Sequence, residues 1–125
     1  MNIIKISADA TAQIEVLDCS GDLSYKRLQE LVGGYFEIVR PKGLKHPFCM
    51  VIDEEGLMKN KPINIIGSYF YEYQRHGQAI VGEVLVLKEF ATVDGWDICG
   101  LSDDEISELR KIIDGLPERL PREWK

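Results

Sequence analysis

With 125 residues the chain has room for a single core, which excludes a second domain. Hydrophobic residues at 45% and charged residues at 29% are ordinary for a folded chain and exclude a disordered or low-complexity sequence. A net charge of −6 repels polyanions, so ordinary DNA or RNA binding would need a local basic patch, and the nearest one, Lys42, Lys45 and His46, is small.

In chain order, Asn2 to Ser7 and Ala12 to Leu17 read as two strands of a hairpin, with Ala12, Ile14 and Val16 on one face. Cys19 to Asp22 supplies turn and cap residues. From Ser24 the spacing of Tyr25, Leu28, Leu31 and Val32 is helical, and Gly33-Gly34 stops the helix because glycine accepts the left-handed conformation of a helix end. Tyr35 to Arg40 alternates as a strand. Phe48 to Ile52 is continuously apolar and reads as a central strand, while Pro41, Gly43 and Pro47 keep the connection out of the sheet. Asp53 to Gly56 reads as a solvated acidic turn in which Asp53 caps its own backbone.

A second helix is predicted from Asn64 to Gln74, with Ile66, Phe70 and Tyr73 on one face and Gly77 as its stop. Ala79 to Leu87 is the longest β-branched run and reads as a core strand with a bulge at Gly82. Asp94-Gly95 turns the chain into a last strand, Trp96 to Cys99. The third helix, 102 to 114, has a capping box of Ser102 and Glu105, a staple of Leu101 and Ile106, and acids Asp103 and Asp104 at its positive end. Leu116 to Lys125 is a proline-punctuated arm ending near Trp124, which either folds back or anchors another chain and so offers a route to a homo-oligomer. The fold expected is α+β over residues 1–115: a mixed, mainly antiparallel sheet of five to six strands with three short helices packed on it.

The segments LQELVGGYFEIVR (28–40), MVIDEEGL (50–57), KPIN (61–64) and AIVGEVLVL (79–87) resemble the signature of a small domain-of-unknown-function family found in phages, prophages and conjugative elements of bacteria. The resemblance implies a mobile-element protein of α+β fold. It brings no assigned chemistry with it.

Catalytic and metal-binding patterns are missing from the sequence. Asp53, Glu54 and Glu55 are consecutive and diverge in direction, His46 and His76 are isolated, and Gly33-Gly34-Tyr35 follows a helix end instead of opening a phosphate-cradling helix. Cys19, Cys49 and Cys99 are odd in number and lack a CxxC pair, which predicts buried thiols in a reducing compartment, with no cofactor or metal. The N-terminus lacks a signal-peptide pattern and no apolar run has membrane-spanning length, so the expected location is the cytoplasm of a bacterial host.

The most unusual composition is Tyr69 to His76. Phe70 and Tyr73 can serve the core, whereas Tyr69 and Tyr71 point elsewhere; with Arg75 and His76, and with Tyr35 if it shares the surface, they form the candidate binding residues. Ordinary core and surface placement is the competing reading. If the rings form a site, alanine at Tyr69 or Tyr71 is expected to leave stability nearly unchanged. The functional expectation is a non-enzymatic binding protein of a phage or mobile element, a host-defence antagonist that sequesters a nucleotide-type signal or occupies a host protein. The alternative is an acidic protein-interaction module or nucleic-acid mimic, which would need carboxylates at phosphate-like spacing.

Overall fold

The computed structural model describes residues 2–8, 13–18, 23–72 and 79–116. Its elements are β1 (Asn2–Ile6), β2 (Ile14–Asp18), α1 (Tyr25–Val32), β3 (Phe36–Val39), β4 (Phe48–Asp53), α2 (Ile65–Tyr71), β5 (Val84–Thr92), β6 (Gly95–Cys99) and α3 (Asp103–Asp114). The protein is α+β. All strands join one six-stranded sheet, in the order β2-β1-β5-β4-β3 with β6 also on β5, and every pairing is antiparallel.

Strand β5 accommodates three neighbours by its length. Val84 to Val86 pair with β1 and Lys88 to Thr92 pair with β6, while β4 lies along the opposite side. Alternation then sorts the side chains into two cores. Ile3, Cys49, Val51, Leu85 and Leu87 meet Leu28 and Val32 of α1 on one face. Ile4, Ile6, Met50, Ile52, Val84 and Val86 meet Ile66 and Phe70 of α2 and Ile106, Leu109 and Ile113 of α3 on the other. Covered on both faces and flanked on both edges, β4 is buried at all six positions, as its unbroken apolar run predicts.

The helix ends follow local chemistry. Gly33 closes α1 at φ +91°, as the sequence predicts, whereas the N-cap is Ser24, which accepts the Arg27 N–H, and not a residue of the Cys19 to Asp22 segment. The capping box of α3 is present in both directions, with Ser102 Oγ accepting from Glu105 N and Glu105 Oε1 accepting from Ser102 N. Several boundaries differ from expectation. The second hairpin strand begins at Ile14, and α2 ends at Tyr71 because Glu72 turns left-handed at φ +56°; Gln74 and Gly77 lie outside the described residues. The core strand starts at Val84, not Ala79, and runs on to Thr92: Gly82 at φ +79° is not a bulge within it but a bend that precedes it, after an isolated bridge between Ile63 and Val81. Leu116, just past α3, is buried in the core.

Candidate functional site

The strongest polar feature grows from the end of β4. Asp53 reads as a solvated turn residue in the sequence, yet its side chain is wholly buried. Its Oδ1 accepts the Glu55 N–H at 2.9 Å, the expected local cap, while Oδ2 accepts from Lys59 Nζ at 2.9 Å and Lys61 Nζ at 2.6 Å. Both ammonium groups also reach the open end of α1: Lys59 donates to Gly33 O at 3.1 Å and Lys61 to Val32 O at 2.6 Å. Cations there satisfy carbonyls that the helix leaves without partners and sit at the negative end of its dipole. Burial by itself would raise the Asp53 carboxyl, but the bonds from Lys61 and Lys59 and from the Glu55 amide outweigh it and hold the group at about 2.

Glycines make the space for these lysines. A Cβ on Gly34 would stand 2.6 Å from Lys59 Nζ, and one on Gly82 would stand 2.8 Å from Lys61 Cδ. Next to them Asn64 is buried with its amide fully engaged: Oδ1 caps α2 by accepting the Gly67 N–H, and Nδ2 donates to Ile6 O and Gly82 O. Ser68 Oγ clamps both backbone groups of Ile80. The segments GG, DEEG, KPIN and IVGEV therefore meet in one hub that ties α1, β4, α2 and the approach to β5 together. With its hydrogen bonds internal, this hub is architecture.

Beside the hub lies a cavity of about 240 Å³. The buried side chains of Ile52, Ile80 and Val81, with half-buried Val39, give it an apolar base, while Tyr71 and the half-exposed Leu57 add to its walls. Glu37 and Glu54 line it from the solvent side. Neither carboxylate has an ion pair among the described residues, in contrast to Asp53. An alkyl chain ending in a cation matches this lining, with methylenes on the apolar base and the charge at the carboxylates.

Of the picked binding residues that are described, Tyr35, Tyr69 and Tyr71, Tyr71 alone lines this cavity. Tyr69 and Tyr71 are both half-buried and packed against the α2–α3 core, not splayed outward, and Tyr69 stands edge-on to Phe70 at 6.2 Å. Tyr35 is exposed but lines a separate shallow groove with Gln29, Gly34, Glu55 and Lys59. Arg75, His76, Tyr73 and Trp124 lie outside the described residues. Sequence reasoning missed Glu37, which alternation in β3 marks as facing away from α1, and it missed Lys59 and Lys61, whose partners are distant in sequence.

At the other end of β4, Arg40 Nε bonds Glu89 Oε1 at 2.6 Å, and Glu89 is buried. Burial, with the Glu89 charge adding to it, pushes the neighbouring Cys49 thiol up to about 12, so it stays protonated at neutral pH. Among the described residues no group of His, Cys, Asp and Glu is arranged to hold a metal ion. No described helix is long and apolar enough to cross a membrane.

A three-layer antiparallel α+β domain in which a buried aspartate is held by two part-exposed lysines is the class that fold and site define. The family model for a Domain of unknown function (DUF3846) matches residues 1–114, and the chain belongs to that family. No curated protein and no solved structure matches it.

Proposed function

We propose that this protein is a non-enzymatic binding protein of a phage or other mobile element, acting in the bacterial cytoplasm by occupying another protein. The observation that carries this reading is the cavity lined by Tyr71 and two unpaired carboxylates, Glu37 and Glu54. A nucleotide's phosphates would face those carboxylates, whereas a lysine or arginine side chain offered by a partner would neutralise them. Leu57 at the cavity and Met58 beside it, 53% and 83% exposed, add apolar contact area of the kind a protein partner covers. The reading thus favours the host-protein version of a defence antagonist over the nucleotide sink.

Thermal unfolding with added ligands separates the two. A blocked lysine, Nα-acetyl-lysine amide, at millimolar concentration should raise the melting temperature, and the rise should vanish when Glu37 and Glu54 are both changed to Gln. A rise with members of a nucleotide panel, and none with the blocked lysine, would reverse the assignment.

A further inference from the structure

The cavity adjoins an edge of the sheet, and the register shows which backbone groups that edge presents. The Glu54 N–H donates to Tyr35 O, and β3 pairs with β4 from Phe36↔Asp53 to Val39↔Met50. In an antiparallel ladder bonded and non-bonded pairs alternate, so Tyr35, Glu37 and Val39 turn their N–H and C=O groups toward β4. Phe36 and Ile38 therefore turn theirs outward, and among the described residues nothing pairs with them. On the α1 side of this edge Tyr25 stands edge-on to Phe36 at 5.5 Å and is exposed. On the cavity side stands the unpaired carboxylate of Glu37.

Resting on the proposed function, and naming how the partner is held, we propose that the outer edge of β3 takes up an extended segment of the partner protein as an added strand whose side chains alternate apolar and basic. The alternation follows from the pleat. Partner residues opposite Phe36 and Ile38 fall on the α1 side against Tyr25 and are apolar, while the residue opposite Glu37 falls on the cavity side and is Lys or Arg. Pro41, just past the strand, limits the docked segment to about five residues. Backbone bonds to Phe36 and Ile38 supply affinity that any sequence could use, and the Glu37 contact selects the basic one.

Selecting a display library of short random peptides against the full chain tests this. The enriched peptides should alternate apolar residues with Lys or Arg, and their affinity should fall on the order of tenfold for Glu37→Lys and for Ile38→Pro, which removes an outward N–H without touching the β4 ladder. In the wild-type complex the Phe36 and Ile38 amides should exchange more slowly, with Glu37 and Val39, already bonded to β4, unchanged; this readout holds even if the proline variant folds poorly. Enriched peptides without the alternation, or a bound peptide that leaves Phe36 and Ile38 exchange unaltered, would overturn strand docking. If the blocked lysine still stabilises the protein in that case, the cavity reading survives alone; if it does not, both fail.

Discussion

Asp53 shows how one side chain organises its surroundings. A buried carboxylate costs several kcal/mol of lost hydration, and two ammonium groups with a backbone amide offset that cost only while all remain in place. Asp53→Asn should therefore destabilise the fold by roughly 2 to 3 kcal/mol, because it leaves the part-exposed Lys59 and Lys61 at the end of α1 without their carboxylate. Since the folded carboxyl sits near 2 against an ordinary 3.8, its contribution is complete above the unfolded value and is lost as pH falls toward the folded one. Chemical denaturation of both proteins should show the gap between them shrinking by about 2 kcal/mol between about pH 5 and pH 2, and a constant gap would mean that the lysines do not hold the carboxylate. The acidic turn and its local cap were legible in the sequence. Its burial was not, because the lysines that permit it follow the turn while the helix end they cap precedes it.

Elements whose signals are local came through best. The capping box of α3 lies within four residues and was read correctly, and Glu105 there also accepts Lys88 Nζ at 2.8 Å, fastening the helix to β5. Ser102→Ala should cost about 1 kcal/mol in denaturant unfolding, the usual worth of such a cap; a loss near zero would mean that the Lys88 contact alone sets the helix start. Strand β5 misled for a physical reason. Ala79 to Val81 are apolar because Ile80 packs into the core and all three line the cavity, with a single bridge from Val81 to Ile63 instead of a ladder, and Gly82 bends the chain around Lys61 before the strand begins. Helix α2 was overextended because aromatic spacing says nothing about the left-handed turn at Glu72. In the same helix Tyr69 and Tyr71, which its periodicity turns away from the Phe70 face, are half-buried against the core that α2 and α3 share.

For the whole molecule, the described helices form two layers on an antiparallel sheet, and the cavity lies over β3 and the end of β4. The net charge of −6 is compatible with a basic partner, but its distribution matters more: Asp53, Glu89, Glu105 and Glu108 are paired with Lys or Arg, whereas Glu37 and Glu54 have no ion pair among the described residues. The strand edge and the cavity were beyond the sequence, since both depend on which strand is last in the sheet and on how far α2 reaches across it. Heteronuclear NMR titration with Nα-acetyl-lysine amide shows whether this opening receives a basic side chain. The signals of Val39, Glu54, Tyr71 and Val81 should move together with a single dissociation constant and stay still with nucleotides. Shifts gathered instead around Tyr35 and Lys59, or produced by nucleotides at the cavity, would contradict the proposed function.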